Sequence, residues 1–309
     1  FVQAQDQEEL QPQSEALPYM EELVVISSYI TNDRVDTATG LGLTLYETPQ
    51  SVSVVTDQRI IDQNLESLTD VVNNAAGVSA RAQDSTRYTY SSRGFDINNY
   101  QVDGIPIYWQ PGGNAGETQS DMSLYERVEV VRGATGLLTG AGNPSASINL
   151  VRKHADSKIF TGQVHGSVGS WNTYSATADI STPLNASGSV RGRLVGRILE
   201  GDAFRDLAEE SKTVFYGAID ADISDTTLLR IGASRQENSP TASTWGGLPT
   251  WYADGSRTDW DRNKTVAADW TSWSSTVENY YLDLIQDIGD WSSKLSGYNK
   301  SNSSNQERL

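Results

Sequence analysis

The sequence contains no cysteine, only two methionines and two histidines, and no long apolar run. Without cysteine the chain has no disulfide and no thiolate nucleophile. No stretch approaches the ~20 consecutive apolar residues that a membrane-spanning helix needs. The 309 residues include 40 acidic and 23 basic side chains, for a formal net charge of -17. This negative charge, together with the lack of basic patches, argues against nucleic-acid partners.

The common motifs of catalysis are also missing. The sequence has no G-x-S-x-G elbow, no H-E-x-x-H and no glycine-rich loop ending in Lys-Ser or Lys-Thr. His154 and His165 are isolated in the sequence, which favours surface or packing roles. A calcium-loop-like run at 259–263 lacks the glycine and the glutamate that such a loop requires. We therefore expect no enzyme activity, no metal site and no cofactor.

Residues 1–46 are predicted to form a flexible N-terminal segment. The first residues, 1–5, resemble the end of a secretory signal. Residues 6–19 are polar and too poor in apolar side chains to form a core. A short apolar burst follows at 23–26, after Glu21 and Glu22. From the residues alone, this burst is either an ordinary strand or a segment that adds to the sheet edge of a partner.

Residues 47–155 carry mixed helix and strand signals, which predict a compact α+β domain. Residues 51–56 alternate like a strand, and 57–74 place apolar residues at helical spacing. Glycines separate the remaining short strands, predicted at 78–80, 88–92, 101–102 and 128–131. The apolar face of the predicted helix consists of Ile60, Ile61, Leu65, Leu68, Val71 and Val72.

From 156 to 309 apolar residues recur at every second position, for ~10 residues at a time, which is the span of a tilted transmembrane strand. In 190–198 one face is uncharged, whereas the other carries Arg191, Arg193 and Arg197. One face therefore suits lipid and the other suits water. The same division recurs in 174–181 and 215–223.

About seven such strands are predicted, joined alternately by tight turns and longer loops, as in outer-membrane barrels. The tight turns are expected at 185–188 and 224–226, and the longer connections at 202–211 and 239–275. A soluble β-sandwich also alternates apolar and polar residues. Its outer faces carry charge, whereas the outward faces predicted here carry none, so the pattern favours membrane strands.

Several motifs occur in the order known from one family. Residues 125–142 read YERVEVVRGATGLLTGAG and continue as NPSASINLVRK, after ETPQSVSVVT from Glu47, SRGF from Ser92 and VDGIP from Val102. This series resembles the plug signature of TonB-dependent outer-membrane receptors, especially those for ferric pyoverdine and ferrioxamine. The resemblance implies a membrane β protein with an α+β plug domain, 47–155, inside a transmembrane antiparallel β-barrel.

Barrels of that family have 22 strands, so the resemblance implies an N-terminal fragment in which 156–309 form only the first part of the barrel. It implies import of ferric siderophores across the bacterial outer membrane, with TonB, the siderophore and outer-membrane lipid as partners. The alternatives are the same receptor class with cobalamin or a glycan as cargo, a passive porin, and a secreted adhesin or sugar-binding sandwich.

The resemblance also assigns the apolar burst at the N-terminus. In the family this position is the TonB box, which pairs with the energy-coupling protein by strand addition. Too few residues precede it for a signalling domain. The matching residues are Glu22, Leu23, Val24, Val25 and Ile26.

Ligand-binding residues are implied at two places. Tyr108, Trp109 and Gln110 follow VDGIP, where the family has an upper plug loop, and Trp245 lies in a barrel loop that resembles the family's ligand-facing one. Aromatic side chains suit this role because they combine rigid apolar area with a polar tip. Aromatic-belt or loop packing is the alternative role for these residues.

Two arginines are implied to join plug and barrel. Arg93 and Arg132 match family positions that pair with barrel glutamates, because buried charges need such partners. The implied glutamates lie beyond Leu309. Pairing within the plug is the alternative for both arginines.

Overall fold

The computed structural model describes residues 29, 35, 37, 38, 42–107, 117–133 and 144–307. Fifteen strands and two short α-helices lie in these residues. We use "the plug" for the elements up to residue 152 and "the wall" for the seven strands that follow. No helix in the described ranges is long and apolar enough to cross a membrane.

The plug contains eight strands, two α-helices and one 3₁₀-helix. In chain order they are β1 (Ser51–Thr56), α1 (Asp57–Asp62), α2 (Leu68–Asn74), β2 (Ser79–Ala82), β3 (Tyr88–Ser92), β4 (Phe95–Asp96), β5 (Asn99–Val102), β6 (Ile105–Ile107), a 3₁₀-helix (Met122–Leu124), β7 (Tyr125–Arg132) and β8 (Ala146–Arg152).

Two sheets organise the plug. The larger has the order β1-β7-β8-β5-β6, in which only the β5/β8 pair is parallel, and the smaller has the order β2-β3-β4. The central strands β7 and β8 are mostly buried, as expected for strands covered on both faces, although β7 also carries Glu126, Arg127, Glu129 and Arg132. The predicted α+β character of this region agrees with these elements.

The single helix predicted over 57–74 is wrong. Two helices form instead, because Ser67 starts a new one: its side chain accepts from the Asp70 amide, and the Asp70 carboxylate accepts from the Ser67 amide. Asn64, between the helices, has a φ of 50°, which a continuous helix does not allow. The break rotates the apolar residues of both helices onto the plug core.

The wall is an antiparallel meander of the predicted seven strands, in which each strand pairs with its neighbours in sequence. These are β9 (Thr161–Val168), β10 (Tyr174–Pro183), β11 (Val190–Asp202), β12 (Glu209–Ser224), β13 (Thr227–Asn238), β14 (Ser272–Ile288) and β15 (Trp291–Glu307).

The connections alternate between two edges of the wall; the shortest, 225–226 and 289–290, lie on one edge and the longest, 239–271, lies on the other. We call one edge the short-turn rim, with connections at 184–189, 225–226 and 289–290, and the other the long-loop rim, with connections at 169–173, 203–208 and 239–271. In outer-membrane barrels the short turns face the periplasm and the long loops face outward. The two rims therefore define an inside and an outside for the wall.

The two faces of the wall differ as the alternation predicts, with one correction. Leu194, Ile198 and Phe215 are exposed on the outer face, whereas Arg191 and Arg197 are buried. The inner face meets the plug rather than water. One continuous apolar core joins the plug side chains Ile148 and Leu150 to the wall side chains Val195, Val214 and Tyr216. The inward arginines consequently need protein partners.

Candidate ligand-binding site

A tight plug loop between β2 and β3 fixes one arginine at the long-loop rim. The Asp84 carboxylate accepts hydrogen bonds from the backbone amides of Thr86 and Arg87, both at 2.9 Å, and from Arg87 Nε at 2.7 Å. An Asp side chain that bonds to amides two and three residues later stabilises such a turn. Since the Asp84 side chain is fully buried, the Arg87 guanidinium is held in place.

That guanidinium lies on a pair of stacked indoles from the wall. Trp245 belongs to the 239–271 connection and Trp273 to the start of β14. Their ring centroids are 4.7 Å apart with an interplanar angle of 13°. The Arg87 guanidinium lies 3.9 Å from the centroid of Trp245 and 4.9 Å from that of Trp273. Such contacts stabilise a desolvated cation over an aromatic face. We call Arg87, Trp245 and Trp273 the rim cluster.

A second contact ties the same plug loop to the wall. Ser85 Oγ accepts a hydrogen bond from the Thr244 amide at 2.9 Å and lies 3.3 Å from the Thr244 carbonyl oxygen. Thr244 directly precedes Trp245. A molecule that displaces Trp245 would therefore also disturb the plug loop.

The exposure of the two indoles shows which one a ligand can reach. Trp245 is 52% exposed, whereas Trp273 is 3% exposed. The buried indole acts as the support and the exposed one presents a rigid face to solvent. Beside the rim cluster a cavity of about 470 Å³ opens between the plug and the wall, a size within the range of small-molecule pockets.

Below the rim, buried charges anchor the plug to the wall. Arg197 Nη2 donates to Glu66 Oε1 at 2.7 Å, and its Nε lies 3.2 Å from Asp121 Oδ2. Lys212 Nζ lies 3.7 Å from the same Asp121 oxygen, and the Asp121 amide donates to Gln236 Oε1 at 2.9 Å. One wall arginine thus holds two plug segments that are distant in sequence.

A second buried pair lies towards the short-turn rim. Arg152 donates to Asp103 from its backbone amide at 2.8 Å and from Nε at 2.6 Å. Burial by itself raises the pKa of Asp103, but the adjacent Arg152 outweighs burial and keeps this pKa below its ordinary value. Burial lowers the pKa of the neighbouring His154 to about 4, so its imidazole is neutral at pH 7.

Of the residues implied as ligand-binding, Trp245 lies in the rim cluster. Tyr108, Trp109 and Gln110 lie outside the described residues, as does the TonB box at 22–26, and their roles stay predictions.

The two predicted plug–barrel arginines lie together at one end of the plug sheet. Arg132 donates to Ser53 Oγ at 2.6 Å, to Ala76 O at 2.8 Å and to Ser51 Oγ at 2.6 Å. Gly133, the residue after Arg132, lies beside Arg93. A side chain at Gly133, whose φ is 109°, would come within 3.4 Å of Arg93 Nη1. Arg132 is therefore held by plug hydroxyls and a carbonyl, and pairing of either arginine with a barrel glutamate stays a prediction.

Sequence reasoning missed Arg87 and Asp84 and did not single out Trp273 as part of the site. The one available signal was the concentration of tryptophans at 239–275. No local pattern places Arg87 beside them, because 158 residues separate Arg87 from Trp245 and their contact depends on how the plug sits against the wall.

Comparisons with known proteins agree with this architecture. Residues 44–147 match the family model described as TonB-dependent Receptor Plug Domain. The ferripyoverdine receptor of Pseudomonas aeruginosa is 41% identical over 272 residues, which cover 87% of this chain and 33% of the relative. The ferric-pyoverdine 358 receptor of Pseudomonas putida is 39% identical, covering 84% of this chain and 32% of the relative.

The solved structure of the ferripyoverdine receptor of the Pseudomonas aeruginosa outer membrane, bound to ferripyoverdine, matches with a TM-score of 0.85 and 39% identity. The match covers 90% of this chain and 38% of that one. The chain thus spans about a third of the length of the curated relatives named above. These relatives are named as receptors and not as enzymes. The chain belongs to the TonB-dependent receptors of the bacterial outer membrane, of which it carries the plug domain and seven consecutive strands of the barrel wall.

Proposed function

We propose that the intact protein binds ferric siderophores of the pyoverdine type at the cell surface and imports them with energy supplied through TonB. The similarity to ferripyoverdine receptors supports this cargo. The observation in the structure that carries the proposal is the rim cluster, which places an exposed indole and a fixed guanidinium where plug and wall meet.

The rim cluster suits a chelate of this kind. The exposed face of Trp245 offers flat apolar area to a planar aromatic group, and the buried Trp273 keeps it from moving. Arg87 lies over both rings and helps to hold them in this arrangement. Because the stacked arrangement exists before the ligand arrives, binding loses little side-chain entropy.

Ligand binding at the rim cluster would change the contacts of the plug. The Ser85–Thr244 hydrogen bonds and the Arg87 contacts connect the ligand-facing loop to β2 and β3 of the plug. The segment Glu22–Ile26 would add as a strand to the sheet of TonB at the inner side. Pulling on this segment would then rearrange the plug and open a path. No bond in the cargo is made or broken in these steps, so the protein would act as a transporter and not as an enzyme.

The test is a titration of the intact receptor in detergent, in which tryptophan fluorescence reports binding. Saturable sub-micromolar quenching by ferripyoverdine, weakened in Trp245→Ala, would support the proposal. Cobalamin and oligosaccharides serve as competing cargoes in parallel titrations. If one of them binds and ferripyoverdine does not, the cargo assignment is overturned while the receptor class stands.

Energy coupling is tested separately in cells that take up ⁵⁵Fe-labelled ferripyoverdine. A Val24→Pro variant cannot donate its amide to a partner strand, so we expect normal binding and lost uptake. Unchanged uptake in this variant would contradict coupling through 22–26. A porin would let cargo pass in both the parent and the variant, without dependence on TonB.

A further inference from the structure

The cavity beside the rim cluster has walls from both the plug and the barrel. Asp70, Asp84 and Tyr88 contribute from the plug side. The start of β12, with Glu209 and Glu210, contributes from the wall side. The cavity opens at the long-loop rim, next to the exposed indole of Trp245, so a ligand bound to the rim cluster could extend into it.

The charges that line this cavity are not balanced. Asp84 is neutralised by Arg87 at 2.6 Å, and Lys212 is paired with Asp121 at 3.7 Å. Among the described residues that line the cavity, three carboxylates, those of Asp70, Glu209 and Glu210, then face a single guanidinium, that of Arg205. Three negative charges against one positive charge leave a net charge of -2 on the cavity wall.

Glu209 and Glu210 are the free charges among them. Both side chains are exposed, and within the described part of the chain neither carboxylate accepts a hydrogen bond or joins an ion pair. Asp70, in contrast, is engaged by the amide and hydroxyl of Ser67 at the start of α2. Glu210 lies on the same side of β12 as the inward residues Lys212 and Val214, so its carboxylate belongs to the inner face.

A buried hydroxyl in the same wall also lacks a partner. Ser243 is 9% exposed and lines the cavity, and its Oγ has no hydrogen-bond partner among the residues that the structure describes. An unsatisfied buried polar group costs free energy that a hydrogen-bonding ligand can recover. This hydroxyl is independent of the acidic residues and can accept a hydrogen bond from a donor placed in the cavity.

The raised pKa of Tyr88, on the plug side of the cavity, agrees with the same imbalance. Burial is the main cause of its raised pKa, followed by the negative charge of Asp70. Glu210 and Asp84 raise the pKa further, and only Arg205 opposes them. The negative potential on the cavity wall therefore reaches the plug side.

We infer that this cavity is a subsite for a positively charged arm, a primary ammonium or a guanidinium, carried by the imported chelate. The arm would donate a charge-assisted hydrogen bond to Glu210 and a further bond to Ser243 Oγ, while Glu209, which also lines the cavity but alternates to the other face of β12, adds negative charge. The iron-chelating part of the same molecule would rest on the rim cluster. This inference rests on the proposed function. It specifies in addition that the imported chelate carries a positive charge.

The experiment compares two forms of one cargo on the intact receptor. The first probe is a ferripyoverdine whose peptide arm carries a lysine side chain, and the second is the same molecule with that amine acetylated. Fluorescence titration gives the Kd of each. We expect the charged form to bind roughly tenfold more tightly at low salt, and the difference to shrink at high ionic strength because the carboxylates are exposed.

Substitutions in the receptor test whether the cavity causes the preference for the charged probe over the acetylated one. Glu209→Gln with Glu210→Gln keeps shape and removes both charges, and should abolish the preference while leaving the Kd of the acetylated probe unchanged. Ser243→Ala should reduce the preference severalfold. The matched control is Asp287→Asn with Asp290→Asn, which removes two exposed carboxylates at the short-turn rim and should leave the preference intact.

The possible results distinguish a failure of the proposed subsite from a failure of the proposed function. Equal binding of both probes by the parent receptor would overturn the subsite and leave siderophore import standing. A preference that survives in the Glu209/Glu210 double variant would also overturn it. If neither ferripyoverdine binds, the proposed function fails and the subsite fails with it.

Discussion

Trp245 and Trp273 are stacked with their ring centroids 4.7 Å apart, and the first indole is half exposed whereas the second is buried. A rim loop and a barrel strand thus form one rigid surface. The Arg87 guanidinium of the plug lies over both rings, which makes this surface a junction between the two parts of the molecule.

Trp273→Ala should weaken ferripyoverdine binding, although the ligand would not touch this residue. Without its buried support, the exposed indole loses its fixed orientation, and we expect a loss of about tenfold or more in affinity. Fluorescence-independent calorimetry gives the Kd. The control is Trp251→Ala, which removes another exposed indole of the same loop, one that is not stacked in the rim cluster. Equal effects of the two substitutions would contradict the supporting role.

Arg197→Met should loosen the plug in the wall. The substitution leaves Glu66 without its wall partner and Asp121 with only the more distant Lys212. Breaking a buried pair in this way costs about 3–5 kcal/mol. The urea concentration at which the plug becomes sensitive to protease measures the loss in the intact receptor.

Arg235→Met is the matched control for this prediction. Arg235 pairs with Glu237 and Glu278, but its side chain is 57% exposed. Exposed pairs contribute at most about 1 kcal/mol, so the urea midpoint should hardly move. Similar shifts for Arg197→Met and Arg235→Met would show that burial of the Arg197 anchor is not what holds the plug.

Leu194→Lys should impair insertion of the barrel. Leu194 is 56% exposed in the middle of β11, on the uncharged outer face, and a lysine near the bilayer midplane costs about 2–4 kcal/mol. The folded fraction in lipid vesicles, read from heat-modifiable gel mobility, measures the effect. Leu184→Lys, at the short-turn rim, should cost only ~0–1 kcal/mol. Equal folded fractions for the two variants would argue against a lipid-facing Leu194.

Acid should destabilise the plug through His154. Its pKa falls from about 6.5 to about 4 on folding, chiefly because of burial. A lowered pKa means that the stabilisation is complete above pH 6.5 and is lost as the pH falls towards 4, up to about 3 kcal/mol. Asp103, Arg152, Arg230 and Asp283 surround the imidazole and set the final value.

Calorimetric unfolding midpoints between pH 7.5 and 4.5 provide the measurement. His154→Gln should flatten the dependence on pH, even if the midpoint at neutral pH drops. His165→Gln, at an exposed position of β9, should leave the dependence unchanged. If the unfolding midpoint of His154→Gln falls with pH as steeply as that of the parent, other groups cause the acid sensitivity.

The strand-rich wall and its two faces could be read from local pattern. Alternation at 190–198 placed Leu194 outward and Arg197 inward, and both positions agree with the structure. The period of two follows from the geometry of a single strand, and the lack of outward charge at 190–198 follows from contact with lipid. The family motifs around Tyr125–Arg132 likewise identified the plug, since they are contiguous in the sequence.

Contacts between distant segments could not be read in this way. Apolar spacing over 57–74 predicted one helix, because spacing alone does not register the cap that Ser67 forms with Asp70. The inner face of the wall was expected to meet water, because the sequence of a strand does not specify what covers it.

The sequence by itself determined the class of this protein, with its membrane strands and a plug that carries the family motifs. The tertiary structure alone decided the sites. Arg87 meets Trp245 and Trp273, Arg197 joins Glu66 to Asp121, and Glu210 shares a cavity with Ser243. Alternation and motifs are properties of neighbouring residues, whereas these contacts depend on the register of strands and on how the plug packs against the wall.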